Sequence, residues 1–159
     1  MMKSAELNRQ AGTLRQLIKR VGHDPSTRAL EMQAHWARYL CVLTSGYVES
    51  VVRDLYGQYV RKNSYSAPVI RYTTKQLEGV QNPRSEKLIQ IAAAFDSSWA
   101  RDLEAYLTQD YRSDAVNSIM SQRHLIAHGR SSNITVGQVS RYLGKVIEVA
   151  EFIEGQCGL

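Results

Sequence analysis

The sequence predicts an all-α fold. Apolar residues recur at three- and four-residue intervals along most of its length, no stretch alternates with a period of two, and only three prolines and ten glycines interrupt it. With 159 residues, 43% of them apolar, the chain can bury a real core, and residues 1–159 are read as a single domain.

Each helix has its own warrant. Residues 5–19 carry Leu7, Leu14, Leu17 and Ile18 at helical spacing, ending near Gly22. Asp24 or Ser26 can cap a second helix, Pro25 suits its first turn, and the pattern then runs to about Val60. Trp36, Leu40, Leu43, Tyr47, Val48, Val51, Val52, Leu55 and Tyr59 fill one arc of that long helix, and Ser45, Gly46, Glu49 and Arg53 lie across from it. That strip of small residues could let another helix approach closely. Turn formers at residues 63–68 break the pattern, and residues 73–80 can form a short helix before Gln81-Asn82-Pro83 breaks it again. Ser85 or Asn82 opens a segment ending near Phe95, and Asp96 caps the next, which holds Trp99, Leu103, Tyr106 and Leu107. Asp110 precedes a helix from about Tyr111. Thr135 and Gln138 have the capping-box form ahead of a regular stripe from Val139 to Ile153.

Charge and cysteine content narrow the class. Twenty Lys+Arg against fifteen Asp+Glu give a net charge of +5, a mild excess that suits anionic partners such as nucleic acid. Cys41 and Cys157 are too few for a disulfide framework or a multi-cysteine zinc site. Reduced thiols, the absence of a signal-like N-terminal segment and the absence of an apolar run of about 18 residues are read as a soluble, cytoplasmic protein without a membrane partner.

The stretch SQRHLIAHGR, residues 121–130, departs from the amphipathic pattern. Val116, Ile119 and Ile126 set an apolar register in which Arg123 takes the place of an aliphatic residue. Beside that stripe, Asn117, Ser121, His124 and His128 recur at spacings of four, three and four, stacking an amide, a hydroxyl and two imidazoles on one face. Gly129 suits the helix C-terminus, which places His128 where the last turn opens. Arg123 and His128 point ~140° apart on a regular helix, so they converge only where the helix ends or where a second subunit supplies the complement.

Arg123 through His128, followed by Gly129 and a capped amphipathic helix, resembles the HEPN superfamily, and within it the RiboL-PSP-HEPN and related small stand-alone groups. The resemblance extends to residues 46–53, 82–96 and 135–142 and is strongest over residues 24–154. It implies a helical bundle that dimerises so that the Arg and His motifs of two subunits meet in one composite cleft. In many members that cleft is a metal-independent endoribonuclease that needs no cofactor. Such members act in toxin-antitoxin modules, anti-phage defence or RNA processing, some with an antitoxin or regulatory protein. The implied catalytic residues are Arg123 and His128 at the motif ends, with His124 inside the motif and Glu49 as the acidic companion.

The residue chemistry agrees. Cleaving RNA without metal requires deprotonation of the 2′-hydroxyl, stabilisation of charge on the phosphoryl oxygens and protonation of the leaving 5′ oxygen. Imidazole can serve either proton transfer and guanidinium can hold the phosphate, which suits His128 and Arg123. His124 and Asn117 could share in proton transfer or orient the substrate, and Ser121, Arg130 and Arg53 are candidate substrate contacts. Glu49 and Arg53, four residues apart, could instead form an ordinary helix-surface pair. Two other readings stand beside this one. His124 and His128 form an H-x-x-x-H pair, but it lacks the glutamate of a zinc protease and any evident third ligand. Alternatively, the polar seam serves a non-catalytic module that dimerises and binds a protein or nucleotide partner.

Overall fold

The computed structural model describes residues 2–159, and every regular element among them is helical. Helix α1 spans Ala5–His23, with the Ser4 hydroxyl accepting from the Leu7 amide at 3.5 Å and with Leu7, Ala11, Leu14 and Val21 buried. Asp24 caps a 3₁₀ turn, Pro25–Thr27. There the buried Thr27 hydroxyl donates to Val21 O at 2.6 Å, and the Gln33 amide donates to Thr27 O at 2.7 Å, which fixes the corner into the next helix.

The predicted long helix exists as three consecutive segments: α2, Leu30–Val51; a π turn, Val52–Tyr56; and α3, Gly57–Asn63. Most of the predicted core arc is buried, and Trp36, Leu43 and Tyr59 are half-buried at its edges. The wider turn lies where the following helix packs, and such turns are single interruptions of an α-helix. That following helix, α4, spans Ala67–Glu78. It begins earlier than the expected residues 73–80 because Pro68 sits in its first turn, where the missing N–H has no helical partner to lose.

Helices α5, Ser85–Phe95, and α6, Ser97–Leu107, form a hairpin turned at Asp96, whose carboxylate accepts from the Ser98 amide at 2.6 Å. Helix α7 spans Arg112–Ala127, and α8 spans Val136–Gln156 behind the predicted Thr135–Gln138 capping box. Asp110 precedes α7, as read from the sequence, without capping it. The residue before the helix, Tyr111, is left-handed, and Asp110 Oδ2 instead accepts from Arg112 at 3.0 Å.

Helix α2 is the hub on which α1, α7 and α8 pack, while α4 covers the π turn and α3. Stacked and edge-on contacts among Tyr56, Tyr59, Phe95 and Trp99 join the long helix to the α5–α6 hairpin. Each such pair contributes about 0.5–1.5 kcal/mol beyond area burial. The ends of the chain are tied together by Glu154, a buried carboxylate that accepts from the amides of Lys3 and Ser4 at 2.6 and 2.7 Å. No helix among the described residues is long and apolar enough to cross a membrane.

Helices α2 and α7 run antiparallel. The Cys41 thiol reaches Ile119 O at 3.6 Å, and Val48 and Val116 face the same interior space. The C-terminal half of α7 therefore lies along the N-terminal half of α2.

Candidate functional site

Helix α7 is anchored at its start and open at its end. The Arg112 guanidinium is buried, donates to Glu148 at 2.9 Å and lies 3.9 Å over the Tyr106 ring. Ala115, Val116, Ile119 and Met120 are buried, but from Ser121 onward no residue of the helix is. The helix ends in a Schellman arrangement: Gly129, at φ 65°, donates to Ile126 O at 3.1 Å, and Arg130 donates to Leu125 O at 2.9 Å. The side chain of any other residue would be strained at that glycine φ. Ser132, buried in the return loop, donates to Gln122 at 2.7 Å and holds the segment after the glycine against α7.

On this last turn the His124 and His128 rings lie 4.4 Å apart between centroids, tilted by 57°, and both residues are exposed. Their four-residue spacing stacks them on one face, as the sequence implies. Arg123 is half-buried, in keeping with a guanidinium in an apolar register whose head reaches towards water. The backbone of His128 leaves helical geometry at φ −96°, ψ 14°, as a position where the last turn opens should. Ser121 is half-buried beside these residues and Arg130 is exposed beyond the glycine.

The other candidates lie further along. Asn117 Oδ1 accepts from the Ser85 amide at 2.9 Å, and its Nδ2 donates to Ser113 at 3.3 Å, so both ends of the amide are used in seating α5. Glu49 Oε1 accepts from the Asn82 amide at 2.7 Å, fixing a residue that stands at φ 49°. Arg53 donates to Asp54 at 3.2 Å and to the Ser50 hydroxyl at 3.0 Å, so the hydrogen bonds of Glu49 and Arg53 lead elsewhere than to the helix-surface pair that their spacing allowed. Asn117 and Glu49 thus hold the loop between α4 and α5. From that level to His124 is about 10 Å along the axis of α7, and to His128 about 16 Å. A single chain brings His124 and His128 together, with Ser121, Arg123 and Arg130 on the same last turns and loop, and the hydrogen bonds of Glu49 and Arg53 lead to other partners.

Glu154 and the Arg112–Glu148 pair escaped sequence reasoning, because Glu154 accepts from Lys3 and Ser4 and Glu148 lies thirty-six residues from Arg112. For a metal, His124 and His128 have no third ligating side chain: no group of three or more His, Cys, Asp or Glu among the described residues could hold an ion. Burial pushes both thiols, Cys41 and Cys157, up to about 12, which removes them from nucleophilic chemistry at neutral pH.

An all-helical bundle with an Arg-His-His turn beside its last helix defines the class as a small helical domain of HEPN type. The RiboL-PSP-HEPN family model matches residues 6–158, and the chain belongs to that family. The membership points to nuclease or RNA-related function at the level of the superfamily. No curated protein and no solved structure is significantly similar to the chain.

Proposed function

We propose that the protein is a metal-independent endoribonuclease acting as a homodimer. The observation that carries this reading is the paired, exposed imidazoles of His124 and His128 directly after Arg123, in a RiboL-PSP-HEPN chain. In the reaction, a general base takes the 2′-hydroxyl proton and the 2′ oxygen attacks phosphorus. The P–O5′ bond breaks as a general acid protonates O5′, leaving a 2′,3′-cyclic phosphate and a 5′-hydroxyl. His128 is assigned to proton transfer, with His124 as its counterpart, and Arg123 balances charge on the phosphoryl oxygens.

The dimer is part of the reading for two reasons. Arg123 and His128 diverge by ~140° on one helix, so a second motif is needed to enclose a phosphate from both sides. In addition, Met32, Tyr39 and Val42 are exposed on one side of α2, flanked by the half-buried Trp36 and Leu43, and α7 packs on the same helix. An apolar strip of that kind suits a second copy of the chain, which would cover it and set the two motifs facing each other. A toxin, anti-phage or RNA-processing setting in the cytoplasm, with or without a silencing partner, fits such an activity.

The test is incubation of purified protein with matched RNA and DNA oligonucleotides in EDTA. RNA cut to cyclic phosphate ends with DNA left whole is the expected result, because DNA lacks the attacking hydroxyl. Intact RNA under all conditions would favour the second reading, a non-catalytic module in which the same strip and seam serve assembly.

A further inference from the structure

Residues 57–84 hold Arg61, Lys62, Arg71, Lys75 and Arg84 against Glu78 alone, a net charge of +4 out of +5 for the whole chain. Two of these cations, Arg71 and Lys75, lie one turn apart on α4. On α4, Pro68, Arg71, Tyr72 and Lys75 share the outward face and line one shallow groove, while Leu77, on the opposite side, is buried. Tyr72 is 68% exposed and Tyr65, just before the helix, is fully exposed, so both rings are open to solvent. The ion pairs among the described residues involve Arg9, His35, Arg53, Arg112 and Lys145, and none engages Arg71 or Lys75. Lys62 Nζ donates to Gly158 O at 2.9 Å, which keeps it at the margin of the same end of the bundle.

A groove of cations without carboxylate partners, with open aromatic faces beside it, has the chemistry that single-stranded nucleic acid requires. The cations track phosphates and the rings stack on bases without reading sequence. An acidic protein surface would satisfy the cations but gives no reason for two tyrosine rings open to solvent.

We propose that the outer face of α4, with Arg71, Tyr72 and Lys75 at its centre and Tyr65 at its edge, is a binding surface for single-stranded RNA separate from the Arg-His-His turn. It rests on the ribonuclease reading in that it names a surface holding the substrate, yet it is read by binding and not by cleavage. From Cys41 to the start of the π turn at Val52 is about 16 Å along α2, and from Ile119 to His128 about 13 Å the other way along α7. The surface therefore lies towards the opposite end of the bundle from His128, and an RNA reaching both would lie along it.

The experiment measures binding of a fluorescent single-stranded 2′-O-methyl RNA of about twelve nucleotides, a length within OB-type site sizes. This RNA has no free 2′-hydroxyl and cannot be cleaved, so a failure of the nuclease reading does not affect the result. Affinity is followed between about 50 and 200 mM salt for the wild type, Arg71→Glu/Lys75→Glu, Lys75→Gln, Tyr72→Ala and Tyr72→Phe, with Arg141→Glu on the exposed side of α8 as control. The double variant should bind at least about tenfold more weakly and lose roughly 1.4 from the salt slope, and Lys75→Gln should lose about 0.7. Tyr72→Ala should bind about five- to tenfold more weakly, while Tyr72→Phe keeps the wild-type affinity, because stacking needs the ring and not the hydroxyl. RNA affinity and slope unchanged in the α4 variants, equal losses in Arg141→Glu, or no RNA binding by the wild type would each overturn the proposal. An acidic protein displaced from wild type but not from the double variant, with RNA unbound, would assign the face to protein instead.

Discussion

The imidazoles of His124 and His128 lie 4.4 Å apart on the last turn of α7, one helical turn from each other and both open to solvent. In the proposed cleavage the attacking 2′ oxygen and the leaving 5′ oxygen stand on opposite sides of phosphorus, so base and acid must act from opposite sides, with imidazoles of the two facing motifs in those roles. Replacing either histidine by alanine should therefore lower kcat by about 10²–10⁴. Stopped-assay rates for the three proteins check this, and an unchanged rate in His124→Ala would leave His128 acting alone.

Arg123→Lys separates charge from shape. Lysine keeps the positive charge but loses the planar fork that can hold two phosphoryl oxygens, so activity should fall by about 10²-fold. The melting temperature should hardly move, since Arg123 is only half-buried. Rates and thermal unfolding on the same preparation distinguish a lost phosphate contact from a lost fold.

Asn117 presents the reverse case. Its carbonyl accepts from the Ser85 amide at the start of α5. Asn117→Ala should destabilise the protein by about 1–2 kcal/mol, measured by urea unfolding, whereas Asn117→Asp keeps an acceptor there and should lose much less. Activity per folded molecule should stay near wild type in Asn117→Asp if the residue seats α5 and does not touch substrate.

Arg112→Ala should be costlier. It removes the donor to Glu148 and Asp110 and the cation over the Tyr106 ring, a loss of about 2–3 kcal/mol. The same urea titration reads it, with an unchanged slope expected because the denatured state is not the cause.

Both cysteines should resist alkylation in the native protein at neutral pH, since burial raises each thiol to about 12 and the thiolate is the reactive form. As pH rises towards that value the native thiols become reactive, and in denaturant both should react at once. Mass analysis after iodoacetamide treatment checks both conditions.

Much of this fold could be read from the sequence. The capping box at Thr135, the cap at Asp96 and the core stripe of the long helix are local patterns, and they formed as local rules require. The stacked rings of His124 and His128 were legible for the same reason, because helical spacing makes residues four apart neighbours. What was hidden depends on distance in the chain. Asn117 and Glu49 sit on helices at spacings that suggest a site, yet their hydrogen bonds go to Ser85 and Asn82, more than thirty residues away. Likewise, nothing in the neighbourhood of Arg112 or Glu154 announces that Glu148 or the amides of Lys3 and Ser4 are the partners. The π turn at Val52–Tyr56 has no local signature, since its residues are as compatible with an ordinary helix.

The central claim is that Arg123 and His128 cut RNA by 2′-hydroxyl attack within a dimer. Its most direct measurement is single-turnover cleavage of an end-labelled RNA in EDTA by wild type, Arg123→Ala and His128→Ala, with the mass of each species in solution determined alongside. Cyclic phosphate products from a dimeric wild type, and at least about a hundredfold slower cleavage by both variants as intact dimers, are the expected results. Full-rate cleavage by either dimeric variant, or no cleavage by the wild type together with monomeric variants, would contradict the claim and assign the Arg-His-His turn to assembly.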